Sequence, residues 1–474
     1  MADIVKFAGY DIKDKTLRED ISETKTYLGY TDDNVIGLQA DFENNVFTRL
    51  GGAVGKNAGS DFNVYNMYGN RKVCALQDDG TVSKWYGDTG YVEDGSIGQI
   101  MVRQPKFYYK VVPITIAPIE PDDTDQTDTK GYYLKKVNYY ISDKPLAGFK
   151  VHPAFIGHDG TEKDCYYIGA YEASLYDVSE NKYLQYDSWN VTEDGGVYTI
   201  NALNAYLTDA ANDKLCSIAG VKPASGEYST QFTRPNVNQM AKNRGTGWGA
   251  VNVKIASAEH LLQIIELGQF NVQNAIANGV MSYASGDHNE SVFTGSTSTL
   301  GNGTGAAASS SRLVSNGTYE TNTNDGYKSI RYRGVENFWG NVWSYISGIN
   351  VWGNGKMGAG QAYIADDFNF AESKNSDNYK PVGFTLPVRS GSYYRYLGYS
   401  TTHDWIFLPA GTTAGTSSVP IGDALYSSNK LNAYRIASLG GSWADGARDG
   451  SFCWAVNHAV GSRYRILGGR LALV

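Results

Sequence analysis

From Ser329 to Val474 the chain alternates aromatic, glycine and β-branched residues, and nowhere in that stretch does the apolar repeat of a long helix appear. Such a pattern restricts this part to short strands joined by long irregular loops. Helical periodicity shows upstream, in two places. Ser257 can cap a run in which Leu261, Leu262, Ile264 and Ile265 share one face and Gly268 ends the helix. Asn271 can cap a shorter run, Val272 to Ala277, stopped by Gly279. The expectation is an α+β fold of short strands, two helices and long loops.

A chain of 474 residues exceeds what one core normally fills, so a modular protein is expected. The run Pro105 to Val112 (PKFYYKVV) reads as a strand, and the boundary is placed before it. Residues 1–95 would form a smaller, mostly β attachment or oligomerisation region, and residues 96–474 the larger domain. Within the latter, Ser285 to Asn324 is low in complexity (TGSTSTLGNGTG). Small polar residues bury too little apolar area to offset ordering entropy, so a mobile insertion is expected at about 285–324.

Composition narrows the function classes. A net charge of -8 argues against nucleic acid as a partner, because phosphate binding needs clustered basic surface. No apolar run approaches the roughly 18 residues of a membrane span, and Asp3 and Lys6 argue against a secretory leader. Cys74, Cys165, Cys216 and Cys453 are scattered without disulfide or zinc spacing. Asp122, Asp123, Asp125 and Asp128 lack the glycine and distal glutamate of a calcium loop and read as a solvated loop. The N-x-[ST] sites at Asn190, Asn289, Asn302 and Asn316 are idle without export, and His260 is given no role. No cofactor is expected; calcium stays open as a structural ion, with no ligand set indicated. The 36 Tyr, 54 Gly and 9 Trp are the vocabulary of recognition surfaces and equally of loop-rich β proteins.

Arg333 to Trp343 (RGVENFWGNVW) is the most specific segment: Trp339 and Trp343 read as structural anchors, with Gly340 and Asn341 suited to a tight turn between them. It resembles the core G-N-V-W segment of C-type-lectin folds of the formylglycine-generating-enzyme kind. The resemblance extends to Tyr166 to Glu172 (YYIGAYE), Arg435 to Trp443 (RIASLGGSW) and Gly469 to Leu473 (GRLAL), in the family's order. The enzymatic branch of that family uses paired cysteines, whereas here only Cys453 lies in the corresponding region. The calcium-dependent sugar-binding branch is unsupported, since Glu120 and Pro121 precede Asp122 and no W-N-D triplet occurs.

The better match is the variable region of retroelement-diversified proteins, resembled by Gly440 to Leu473. Trp339, Gly340, Asn341, Trp343, Gly440, Gly441, Trp443, Gly446, Phe452, Trp454, Gly468, Gly469, Arg470 and Leu471 would form the fixed frame. Ser442, Ala444, Asp445, Arg448, Asp449, Cys453, Ala455, Asn457, His458, Ser462, Arg463, Tyr464, Arg465 and Leu467, within about 440–468, would form a solvent-facing variable surface. Each is reachable from an Asn or Tyr codon by changing adenines alone. Tyr464, Arg463, Arg465 and His458 are expected to contribute most to binding, Ala444 and Ala455 to shape the surface. Tyr393, Tyr394, Tyr396, His403 and Trp405 read either as a flank of the site or as core.

The resemblance implies a non-enzymatic phage tail adhesin in the virion, a homotrimer bound to other tail proteins, recognising a host bacterial surface protein or glycan. Alternatives are a formylglycine-generating-type oxidase, a cellular retroelement-diversified surface lectin and a tail protein without a variable site.

Overall fold

The computed structural model describes residues 6–7, 10–11, 35–121, 129–183, 191–194, 197–200, 209–225, 232–282, 291–315, 318–354, 360–372, 377–427 and 432–474. The acidic run Asp122 to Asp128 and the sequons at Asn190, Asn289 and Asn316 lie outside these residues, as does most of the charged stretch Asp11 to Lys25.

Strands dominate, and four α-helices occur among the described residues. Three larger sheets organise the chain. The first pairs Val35–Asp41 with Val46–Gly51 and with Tyr132–Ser142, which also pairs with Tyr108–Pro118 and Tyr396–Tyr399. The second has the order Trp248–Ala250, Leu471–Leu473, Cys165–Gly169, Gln99–Pro105, Lys72–Leu76, Val82–Trp85. In it Leu471–Leu473 lies between two partners from far upstream, Ala472 opposite Ile168 on one side and Gly249 on the other. The third runs Tyr379–Thr385, Gln361–Ala365, Trp343–Asn354, Asn432–Leu439, Trp454–His458, Ala424–Ser427, Ser392–Tyr393, with Leu467–Gly468 added parallel to Trp343.

The helix Val253–Leu267 is buried along nearly its whole length. A helix buried on every face must satisfy its polar side chains internally. Its two glutamates and His260 Nε2 do so by tying distant segments together, while Gln263 finds no partner among the described residues. Glu259 takes both guanidinium nitrogens of Arg71 at 2.8 Å and the Tyr166 hydroxyl at 2.7 Å. Glu266 binds Arg333 at 2.6 and 2.7 Å, and His260 Nε2 lies 2.5 Å from the Ser451 carbonyl, its ring stacked on Phe452. Burial holds the His260 imidazole near 3, hence neutral. Among the described residues no helix is long and apolar enough to cross a membrane.

Three expectations change. The boundary at 95/96 falls inside a sheet, because Lys72–Leu76 pairs with Gln99–Pro105 and buries Val73 and Ala75 in the common core. The described residues between 35 and 95 are therefore part of the main body. The central helix is capped by Asn252, whose Oδ1 accepts Lys254 N at 3.0 Å, and not by Ser257, which lies inside it. Gly268 ends it in the left-handed conformation, as expected, and Asn271 caps Val272–Ala275. A nine-residue helix, Arg234–Lys242, was not anticipated, although Val237, Met240 and Ala241 carry its buried stripe behind a proline in the first turn.

The third change concerns the low-complexity run, much of which is folded. Val292 and Thr297 are fully buried, and Ser310–Ser315 pairs with Thr318–Asn322 as a hairpin. The buried Glu336 carboxylate organises the rest, accepting Gly295 N and Thr297 N at 2.8 Å and the Thr297 hydroxyl at 2.5 Å. Small hydroxylated residues serve here as internal donors, which composition alone does not reveal.

Candidate functional site

The four segments that carry the sequence resemblance meet at one cluster. Asn337, Gly340 and Asn341 all have positive φ (47°, 77° and 62°), so RGVENFWGNVW forms a chain of tight turns. Glu172, from YYIGAYE, clamps those turns. Its carboxylate accepts Asn341 Nδ2 at 2.6 Å, Asn337 Nδ2 at 3.0 Å and the Val342 amide at 3.0 Å. Burial raises its pKa to about 7 against the pull of the Arg470 charge and those donors. Arg470, from GRLAL, donates to the carbonyls of Gly169, Glu336 and Asn337 at 2.7–2.9 Å. Gly440, from RIASLGGSW, accepts the Gly340 amide at 2.9 Å, and Trp443 N donates to Asn341 O at 3.0 Å. Trp339, Trp343, Trp443, Trp454 and Arg470 are buried.

On this frame sits the segment expected to vary, and the structure divides it. Ala444, Arg448, Arg463 and Tyr464 are exposed; Asp445, Asn457, His458 and Ser462 are half-buried. Ser442, Asp449, Cys453, Ala455, Arg465 and Leu467 are buried and do not present a side chain to solvent, which corrects their expected place on the surface. The cause is regular structure where none was anticipated. Trp454–His458 is a strand between Ala424–Ser427 and Asn432–Leu439, and it carries Ala455 into a packed cluster with Cys453, Leu467, Trp343 and Tyr345. The Cys453 thiol is pushed well above its ordinary pKa by burial, the opposite of a reactive thiolate.

The exposed part is a loop on a fixed base. Tyr345 donates its hydroxyl to Ser462 O at 2.8 Å, Ser462 Oγ accepts Ala459 N at 3.1 Å, and Leu467 N bonds to Tyr464 O at 2.9 Å. Tyr464 is 50% exposed with its ring 5.5 Å from the His458 imidazole, and a shallow groove of about 600 Å³ opens beside Ala459, Ser462, Arg463 and Tyr464. Burial lowers the His458 pKa to about 4, so the ring is neutral near pH 7. The second exposed patch is anchored by Asp445, which accepts Trp343 Nε1 at 2.9 Å and Ser442 Oγ at 2.6 Å. Tyr426 sits against Asp445 and Arg448. The sequence reading missed it, for it belongs to a separate short strand. Of the neighbouring aromatic segment, Tyr394, Tyr396, His403 and Trp405 are core, and Tyr393 is half-buried.

Beneath the second patch lies an unusual pair of acids. Asp449 is fully buried, and neither of its oxygens has a partner in good hydrogen-bond geometry, the Ser442 amide being the one donor set against its carboxyl. Asp423 accepts Phe452 N at 2.6 Å through one oxygen, and its other oxygen has no partner. Burial drives both carboxyls well above their ordinary pKa, the charges of Asp445 and Asp423 adding to the effect at Asp449. Among the described residues no group of His, Cys, Asp or Glu is arranged to hold a metal ion. A Cβ at Gly441, where φ is 81°, would lie 1.9 Å from Asp449 Oδ1. Gly441→Ala is therefore expected to cost about 2–4 kcal/mol in urea unfolding, through overpacking and left-handed strain.

No family model matches the chain, and no curated protein matches it. Among solved structures it is similar to the Major Tropism Determinant U1 variant, at 12% identity and a TM-score of 0.27, over 85% of this chain and 71% of that one. The P3c variant of the same protein is similar over the same shares, at 12% identity and a TM-score of 0.24.

Proposed function

We propose that this chain is a phage tail adhesin of C-type-lectin type that binds a host-surface ligand through the exposed remainder of its C-terminal face. The observation that carries the reading is the Arg463–Tyr464 loop: a large aromatic and a cation stand in solvent on a base fixed by the Tyr345 and Ser462 hydrogen bonds. Tyr and Arg dominate binding hot spots, and a pre-organised loop loses little entropy on binding. The contact surface comprises Ala444, Arg448, Arg463 and Tyr464, with Asp445, Asn457, His458 and Ser462 at its margin. The buried residues of the segment act as frame, so diversity in sibling sequences is concentrated at the exposed positions and spares Asp449, Cys453 and Leu467.

Adsorption of the labelled chain to a panel of bacterial strains tests this. The Arg463→Ala/Tyr464→Ala double variant, folded by its melting profile, loses at least tenfold in adsorption to strains that bind the parent, in line with hot-spot losses of about 2 kcal/mol. Adsorption unchanged by that variant refutes the face. In the same reading the chain is a homotrimer in the virion, attached to other tail proteins, and multivalent display raises weak single-site affinity; a monomer by light scattering removes the trimer from the proposal.

A further inference from the structure

A second surface, on the six-stranded sheet and built from other residues, has the chemistry of a binding site. The strands Lys72–Leu76 and Gln99–Pro105 pair so that Lys72 and Arg103 stand directly opposite one another. Like charges in that position repel, and neither residue has an ion-pair partner among the described residues. The neighbouring Lys106 shows the contrast, being held by Glu162 and Asp164 at 2.9 Å each. The two cations, neither held in an ion pair although the Arg103 charge reaches Asp164, line an open groove of about 850 Å³ together with Lys106, Asp88, Asp143 and Asp164, within the size range of small-ligand sites.

The rest of the lining is equally specific. Trp85 and Tyr86 form one wall. The Trp85 amide is tied to Asp88 at 2.9 Å, and the Tyr86 ring is braced edge-on by Tyr91 at 5.5 Å. Asn302 spends its carbonyl on the Val73 amide at 2.7 Å, which leaves its Nδ2 to donate into the groove. Asp143, also in the lining, has a buried Oδ1 with no hydrogen-bond partner.

We propose that this groove binds an acidic saccharide, its carboxylate held between Lys72 and Arg103 and a sugar ring laid against Trp85 and Tyr86. Each feature has its counterpart in that ligand class. A carboxylate relieves the Lys72–Arg103 repulsion through charge-assisted hydrogen bonds. Ring C–H groups pack on the aromatic faces, and ring hydroxyls meet the Asn302 amide and the Asp143 carboxylate of the lining. A polyphosphate chain is disfavoured, since two unpaired cations are too few to track a backbone. The site is independent of the Arg463–Tyr464 loop, which shares no residue with it.

Isothermal titration of the full chain against uronic-acid and sialic-acid oligosaccharides, each paired with its carboxyl-reduced neutral counterpart, tests the proposal. At least one acidic oligosaccharide binds, its reduced counterpart binds tenfold or more weakly, and Arg103→Ala and Trp85→Ala each weaken binding at least tenfold. Tyr464→Ala leaves this binding unchanged, which separates the groove from the adhesive face. Arg103→Ala also removes a like-charge contact, so its melting temperature does not fall; were it to unfold, Lys72→Ala gives the same test from the opposite strand. Failure of every acidic oligosaccharide to bind, equal binding of a reduced counterpart, or equal affinity for inorganic phosphate overturns the assignment.

Discussion

Glu172→Ala is expected to lower the stability of the chain by about 3–5 kcal/mol, read as a fall in the denaturation midpoint. The substitution removes the acceptor for Asn337 Nδ2, Asn341 Nδ2 and the Val342 amide, and each buried donor left without a partner costs about 1–3 kcal/mol. It also withdraws the negative charge nearest the buried Arg470 guanidinium, whose own pKa is lowered by burial and held up first by Glu172. Breaking a buried charge pair by removing one partner is costly in its own right. Glu172→Gln retains one acceptor oxygen and should fall between the two, so the ordering in chemical denaturation is parent, Gln, Ala. Equal stability of the Ala variant would mean that the turns hold without their clamp.

Asp449→Asn should act in the opposite direction and flatten the pH dependence of stability. The carboxyl of Asp449 titrates well above the unfolded value of 3.8 because it is buried beside Asp445 and Asp423 without a partner in good hydrogen-bond geometry. A group whose folded pKa is raised binds its proton more tightly in the folded state. Its contribution is thus complete below about pH 4 and is lost as pH rises toward the folded pKa. The loss runs at about 1.4 kcal/mol per pH unit for one such group. Asp423 and Glu172, also raised, add in the same sense. Asparagine carries no proton equilibrium, so the variant loses one increment of slope and gains on the parent as pH rises. Unfolding free energies at pH 4, 5, 6 and 7 for both proteins give the comparison; parallel curves would show that Asp449 does not titrate in this range.

The sequence made the frame legible because a few residue types have few uses. Trp339, Trp343, Trp443 and Trp454 are large and apolar, and in a Gly-rich stretch they had nowhere to go but inward. Gly340 and Asn341 announced the positive φ that the structure shows. The fate of the intervening residues was harder to read, because side-chain size does not reveal burial at a strand that begins after an irregular turn. Cys453 and Ala455 are small enough for either environment, and their burial follows from pairing with Ala424–Ser427, a strand some thirty residues upstream. Arg465 and Asp449 were expected at the surface with the other interspersed positions of the variable-region resemblance, where charged residues usually lie, and their burial breaks that rule. The acidic-saccharide groove was invisible for a different reason. Lys72, Trp85, Arg103 and Asn302 are brought together by strand register and by a folded loop that composition marked as mobile.

The placement of Leu471–Leu473 between Cys165–Gly169 and Trp248–Ala250 has a consequence for biogenesis. Both flanking strands leave the ribosome with a bare hydrogen-bonding edge and must wait for more than two hundred further residues before the strand that seals them exists. At about 5–20 residues per second the delay is on the order of ten seconds or longer. During that interval each nascent chain offers open sheet edges to its neighbours on the same polysome, so productive yield depends on how well chaperones shield those edges until translation catches up.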